Sequence, residues 1–328
     1  MKATAIAYSN LALVKYWGKK NLELNIPAVG SISITLRELS TRTTVQFDPE
    51  LDEDILVLNE MPSDRTKQKR VSVFLDLVRQ LANMNHFAKV NSVNNYPTGA
   101  GLASSASGFA ALSVAAARAA NLDLNLQQLS VLARQGSGSA ARSIHGGFVE
   151  MKVGKKSDGS DSFATQIADE HHWVLNVIVA ITTEREKSIG STEGMTLTAQ
   201  TSAYYKEWIS SSSQDLDEMK TAIIERDFQK LGEISELSCL KMHALAMSAN
   251  PGLIYWNSAT ITLIHLVREL RQKNIQCYFT IDAGPQVKIL CLLKDSEKIE
   301  NILKEVHGVK RTIYASLGPG TKLIETSS

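Results

Sequence analysis

The stretch PTGAGLASSASG, Pro97 to Gly108, holds three glycines and three serines and runs straight into the alanine-rich FAALSVAAARAA. Glycine at this density reads as a loop, giving way to a helix over ASGFAALSVAAARAA. The alanines after it give one of the strongest helix propensities in the chain. A bare loop delivering a helix start is a specific arrangement. Glycines let backbone N–H groups turn toward a ligand with no Cβ in the way, and the helix adds unpaired first-turn donors and a positive dipole end. Together these form an anion site, most often for phosphate. Ser104, Ser105 and Ser107 either cap that helix or offer hydroxyls to phosphate oxygens and a magnesium ion. A glycine-rich turn with a serine N-cap is the plainer alternative. The stretch is neither a G-x-x-x-x-G-K-[ST] loop nor a G-x-G-x-x-G fingerprint.

The 328 residues, 44% hydrophobic and 21% charged, are those of an ordinary globular chain. A net charge of +1 gives no global field toward nucleic acid or membrane, so any anion must be held by a local cluster. Cys239, Cys277 and Cys291 show no C-x-x-C spacing, which argues against a disulfide framework or zinc site and fits a reducing cytoplasm. The seven histidines are scattered, and no metal-ligand cluster is expected. MKATAIAYSN lacks a signal-peptide core, and WVLNVIVAI (173–181) is too short to span a bilayer and reads as a buried strand. The expectation is a cytoplasmic protein with a small-molecule ligand and no nucleic-acid or membrane partner.

Alternation predicts strands at 31–39 and 43–48 joined by a polar turn, and again at 86–93. Val71, Phe74, Leu75, Val78 and Leu81 recur at helical spacing, predicting a helix over 71–82. A second Gly/Ser segment, GSGSAARSIHGG (136–147), separates the helical LQQLSVLARQ from FVEMKV. Helical patterns dominate from about 196 to 272, and CYFTI (277–281) and VKILCLL (287–293) flank the break DAGPQ. The change of texture puts a domain boundary near 183, dividing the chain into 1–183 and 184–328. Strands and helices without regular alternation predict an α+β class in both halves.

Three further segments carry chemistry. SNLALVKYWGKK (9–20) sets Lys15, Lys19 and Lys20 among apolar residues, and a lysine in a buried segment needs an anion or a path to water. GSGSAAR places Arg142 behind Ser137 and Ser139, where a guanidinium could grip a carboxylate or phosphate in bidentate fashion. Asp282 in TIDAGP stands between a strand and a turn, as a turn former or as a carboxylate projecting into a cleft.

PTGAGLASSASG resembles the ATP-phosphate loop, P-x-x-x-G-L-x-S-S-A, of the GHMP kinase superfamily. KYWGK, GSGSAARS followed by HGGF, GSTEGM (190–195) and DAGPQVKIL (282–290) resemble stretches that mark its mevalonate diphosphate decarboxylase branch. The segments stand in the family's order over nearly the whole chain. The resemblance implies a two-domain GHMP kinase fold: an N-terminal domain like domain 2 of ribosomal protein S5, a ferredoxin-like C-terminal domain, and an active site in the cleft between them. It implies ATP-dependent decarboxylation of (R)-5-diphosphomevalonate to isopentenyl diphosphate, with ATP as co-substrate, Mg2+ arriving with it, and a homodimer. Residues 1–183 would bind ATP and substrate, and 184–328 would carry the catalytic aspartate.

By matching motif positions, the resemblance implies that Asp282 accepts or orients the C3 hydroxyl proton and that Lys15 pairs with it or with the transferring phosphate. Ser105 would orient the γ-phosphate, and Arg142 would clamp the substrate carboxylate. Ser137, Gly138, Ser139, Ala140 and Ala141 would lend loop donors beside it. Tyr16, Trp17, Gly18, Lys19 and Arg70 would line the diphosphate pocket, Thr192 would reach in from the second domain, and Asn10 would support the substrate side. Pro97, Gly99, Ala100, Gly101, Leu102, Ala103, Ser104, Ser105 and Ser107 would hold ATP. Val29-Gly30 departs from the family's usual residues and either reshapes a pocket wall or is neutral; GSTEGM lacks an arginine that some bacterial relatives carry after the serine. On the same scaffold, a 5-phosphomevalonate decarboxylase and a 3-kinase that stops short of decarboxylation are alternatives, and a dead nucleotide-binding module is a third.

Overall fold

The computed structural model describes residues 1–96, 102–185 and 187–327. In chain order the first elements are β1 (Lys2–Val14), β2 (Lys19–Asn21), β3 (Ile26–Pro27), β4 (Ser31–Asp48), β5 (Ile55–Leu58), β6 (Met61–Pro62), α1 (Arg65–Ala82) and β7 (Phe87–Asn94). Next come α2 (Ser104–Ala119), α3 (Leu126–Gly136), α4 (Ala140–Ser143), β8 (Phe148–Met151), β9 (Ala164–Ala168) and β10 (Asn176–Ile181). Then follow α5 (Ser191–Thr201), α6 (Tyr205–Glu225), α7 (Phe228–Met247), α8 (Ser258–Gln272), β11 (Cys277–Ile281), β12 (Val287–Cys291), α9 (Leu293–Lys304), β13 (Arg311–Ser316) and β14 (Lys322–Ser327).

β14, β1, β4, β7, β5 and β6 form one sheet in that order, with β8 on the free edge of β4 and β9 beyond it. Its β5–β7 pair is parallel, and its other pairs are antiparallel. β1 and β4 slip register between Tyr8 and Asn10, where residues 36–39 of β4 face Ser9 alone. Before the slip, Ala3, Ala5 and Ala7 pack with Phe74, Val78 and Phe109 under α1 and α2. After it, Leu11 and Leu13 pack into the core shared with the second sheet. Small alanines on the strand let the alanine-rich α2 lie close against it.

The second sheet, β11-β12-β10-β13, is antiparallel throughout. One face, with Ile178, Phe279, Ile281 and Ile289, packs on Leu263, Val267 and Ile299 of α8 and α9. The other sends Val177, Val179, Tyr278 and Leu290 to meet Leu11, Ile32 and Phe148 of the first sheet. A core between two sheets brings the ends of β1 and β11 together, and the site lies there.

The α+β class holds. The polar turn expected at 40–42 is absent, because pairing with β1 and β7 carries β4 through it. α1 starts at Arg65, capped by Asp64 Oδ1 accepting from Lys67 N, ahead of the apolar periodicity that begins at Val71. β10 precedes the boundary placed at 183 yet pairs in the second sheet, and β14 returns to the first.

Candidate active site

Asp282 begins the turn after β11, closed by Gly284 N donating to Asp282 O at 2.7 Å. Lys15, just past the end of β1, donates from Nζ to Asp282 Oδ1 at 2.7 Å and to Ala12 O at 2.9 Å. A second lysine, Lys288 on β12, lies 3.2 Å from Asp282 Oδ2. The two lysine side chains are 1% and 3% exposed and the carboxylate 23%, so the cations lie below and the anion looks out. Burial alone would push the Asp282 carboxyl up, but the charges of Lys15 and Lys288 outweigh it and hold it well below the ordinary carboxylate range. His243 lies beneath, hydrogen-bonded to Ile281 O; burial and the Lys15 charge push it down to about 3, so it is neutral.

Arg142, on the single-turn α4, is 2% exposed and held by neutral groups. Nε donates to Ser33 Oγ at 3.0 Å, Nη1 to Ser31 Oγ at 2.6 Å and Nη2 to Asn10 Oδ1 at 3.0 Å. Asn10 is itself fixed by donating to Ser139 O and Ser143 Oγ. No carboxylate among the described residues forms an ion pair with Arg142. Of its five N–H donors, one on each terminal nitrogen remains for a ligand. A buried guanidinium with only neutral partners is an anion site in waiting.

A cavity of about 540 Å³ opens in front of Asp282, lined by Lys19, Arg70, Lys187, Ser104, Ser105, Ser137, Ser191 and Thr192 among others. A chamber of about 80 Å³ behind it reaches Lys15, Asn10 and Arg142, with Tyr16 and Asp282 bordering both. Lys19 Nζ donates to Asn25 Oδ1 at 2.6 Å and Thr192 Oγ1 at 3.2 Å. Lys187 Nζ donates to Ser191 Oγ at 2.7 Å and Ala283 O at 3.1 Å. Burial pushes Lys187 down to about 8, and burial with the Arg70 charge does the same to Lys19. The Tyr16 hydroxyl is buried without a hydrogen-bond partner among the described residues. It faces Gly138, where a Cβ would come within 2.3 Å of it, so a side chain there would have to displace the Tyr16 ring.

Leu102 and Ala103 lead into α2, while Pro97, Gly99, Ala100 and Gly101 lie outside the described residues. The N-cap of α2 is Ala103, left-handed at φ 54 and making no side-chain cap bond, so no serine caps this helix. Ser104 and Ser105 line the cavity, and Ser137 Oγ donates to Ser105 Oγ at 3.3 Å. Ser107 does not line it: its hydroxyl is buried and shared with Thr41 and Tyr96. Leu102 is core as well, offering its carbonyl to Ser9.

Other motif positions also serve packing. Trp17 is 1% exposed, donates from Nε1 to Thr198 Oγ1, and touches only the inner chamber. Gly18, at φ +95, turns the chain beside the Tyr205 hydroxyl rather than lining either space. Ala140 and Ala141 are fully buried, and the Ala140 N–H is used by Ser137 O. Val29 packs with Trp17 and Trp208, and Gly30 lies against Leu216, so neither forms a cavity wall. Lys187, Ser191 and Lys288 carried no assignment from sequence. For Lys288 a signal existed: a lysine inside the apolar strand VKILC.

The chain matches family models along both halves: residues 7–164 match the diphosphomevalonate decarboxylase-like N-terminal domain, and 177–323 the mevalonate 5-diphosphate decarboxylase C-terminal domain. Diphosphomevalonate decarboxylase mvd1 of Aspergillus fumigatus is 37% identical over 98% of this chain and 82% of its own length. The Saccharomyces cerevisiae diphosphomevalonate decarboxylase is 35% identical over 93% and 82%. Among solved structures, MDDEF in complex with MVAPP, AMPPCP and magnesium superposes with a TM-score of 0.93 at 43% identity, covering 99% of both chains. The mevalonate diphosphate decarboxylase of Staphylococcus aureus gives a TM-score of 0.93 at 39% identity, covering 99% of this chain and 98% of that one. The two-sheet α+β architecture is thus the two-domain GHMP kinase fold, and the chain belongs to the diphosphomevalonate decarboxylase family.

Proposed function

We propose that the protein catalyses ATP-dependent decarboxylation of (R)-5-diphosphomevalonate to isopentenyl diphosphate, releasing ADP, phosphate and CO2. The observation that carries this is the placement of Asp282, held by buried lysines where a cation-lined cavity of about 540 Å³ meets the Arg142 chamber. A tertiary alcohol beside a carboxylate does not leave as hydroxide. Transfer of the γ-phosphoryl group to the C3 oxygen makes it a leaving group. When the C3–O bond breaks, the electrons of the C1–C2 bond form the C2–C3 double bond, and C1 departs as CO2.

The problem for the protein is to bring three mutually repelling anions together, so catalysis is positioning and electrostatics. Arg142 holds the C1 carboxylate with its two remaining N–H groups, and Asn10, Ser31 and Ser33 aim it. Asp282 orients the C3 hydroxyl. Lys19 and Arg70, with Tyr16 and Thr192, take the substrate diphosphate; Ser104, Ser105 and Lys187 face the ATP phosphates, with Ser137 and Ser139 beside them. Among the described residues no group of three or more His, Cys, Asp or Glu is placed to hold a metal. The groups facing the cavity are mostly hydroxyls and cations, with Asp282 as a single carboxylate among the described residues, which fits a magnesium ion carried mainly on phosphate oxygens. The homodimer implied by the resemblance belongs to the same proposal, and sedimentation velocity tests it. No helix among the described residues is long and apolar enough to cross a membrane.

Purified protein with ATP·Mg and 5-diphosphomevalonate is expected to release ADP and labelled CO2 one to one. ADP without CO2 would sink the decarboxylase in favour of a 3-kinase, and turnover only with 5-phosphomevalonate would move the substrate. Lys19 and Arg70 together favour the diphosphate. Lys19 and Lys187 are cationic below about 8 and neutral above, so kcat/KM is expected to fall as pH rises through about 8. In kcat the limb moves to higher pH, because bound phosphate stabilises both ammonium groups. A kcat/KM flat to pH 10 would remove these lysines from phosphate binding.

A further inference from the structure

Lys288 is not used in the assignments above, yet it stands where the fold has least reason to hold a lysine. On β12, Val287, Ile289 and Cys291 point into the core under α8 and α9, and Leu290 points into the core between the sheets. Lys288 occupies the same face as Leu290, opposite Val179 of β10 and Thr280 of β11, and is 2% exposed. An apolar residue there would only extend the core. A buried ammonium is costly to keep unless it is paired, and its partner is Asp282 Oδ2 at 3.2 Å.

The two lysines hold Asp282 differently. Lys15 follows β1 of the first sheet, so its bond to Oδ1 crosses between the sheets. Lys288 lies on the strand paired with β11, so it holds Oδ2 within the sheet that carries Asp282. A carboxylate gripped at one oxygen only can swing about its Cβ–Cγ bond, and gripped at both it has one orientation. We infer that Lys288 is a positioning residue, fixing Asp282 from within its own sheet so that the carboxylate meets the reacting hydroxyl in a single geometry. This rests on the reading of Asp282 as the group at the C3 hydroxyl.

The test is Lys288→Met, assayed beside wild type for ADP and CO2, with thermal melts. Misplacement of a reacting group by about 1 Å costs roughly 100-fold, so kcat is expected to fall about 100-fold while KM for ATP and substrate stays within about threefold. In Lys288→Ala, propylammonium supplied in the buffer should restore kcat about tenfold, because it returns a cation to the place of the missing one. Wild-type kcat in Lys288→Met overturns the inference. So does a proportional loss of kcat and affinity with a lowered melting point and no amine rescue, which marks a packing role. If Lys288→Met does not fold, Lys288→Gln is judged by the same readouts, and failure of both to fold also assigns Lys288 to packing. A wild type that turns over keeps the functional reading whatever Lys288 does, and one that releases no CO2 overturns both.

Discussion

Asp282→Ala is expected to lower kcat by at least about 10³-fold while binding ATP and 5-diphosphomevalonate as tightly as wild type or tighter. Among the described residues the carboxylate is the one anion lining the inner chamber, so removing it makes the site more positive for anionic ligands. Its contribution lies in the orientation of the hydroxyl at the transition state. A carboxyl held so far below its usual range is a poor store for a proton, which favours orientation over acceptance. The sign of the pH effect follows: Asp282 stays ionised through the range in which the enzyme works. Wild type is therefore expected to show no acid limb from it down to about pH 5. The substitution also removes the carboxylate that two buried ammonium groups share, so calorimetry should show a lower melting temperature, with Asp282→Asn milder because it refills the volume. Loss of affinity in proportion to kcat, measured by titration calorimetry, would make Asp282 a binding residue and sink the orienting role.

The sequence made the site's chemistry legible where a motif concentrated unusual residue types. Lys15, Arg142 and Asp282 stood out because charge in small-residue or apolar surroundings needs a partner, and the fold supplies one for each. Which partner could not be read, since Lys15 and Asp282 are 267 residues apart in the chain. Ser31 and Ser33, which aim Arg142, read as ordinary polar positions in an alternating strand until β4 is laid beside β1 and α4. Ser107 misled for the opposite reason: its neighbours face the cavity, but helical rotation turns it back onto Thr41 and Tyr96. Ala140 and Ala141 share the Arg142 motif because α4 must pack tightly, a requirement that sequence does not distinguish from contact with a ligand. Strand and helix identities were mostly legible from periodicity. The slip between β1 and β4, which separates Ala7 from Leu11 by core, depends on long-range pairing and left no local trace.

Arg142→Lys is expected to lower kcat/KM for 5-diphosphomevalonate by at least about 100-fold, with the greater part of the loss in the chemical step. The guanidinium spends one donor on each of three neutral acceptors and keeps one N–H on each terminal nitrogen for a carboxylate. An ammonium has three donors on a single atom. To keep the bonds to Ser31 and Asn10 it must turn away from the ligand, and to reach the ligand it must leave buried oxygens unpaired. Geometry is what fails here, since the charge is the same. Tyr16 sharpens the contrast, with its ring centroid 6.0 Å from the Arg142 Cζ, because a planar cation lies over that face better than a point charge. ATP binding, measured with a non-hydrolysable analogue, should be unchanged, as Arg142 borders the inner chamber and not the outer cavity. A mutant within fivefold of wild type in kcat/KM would take Arg142 off the substrate carboxylate. A mutant that lost ATP affinity instead would place the triphosphate, not the substrate, against this guanidinium.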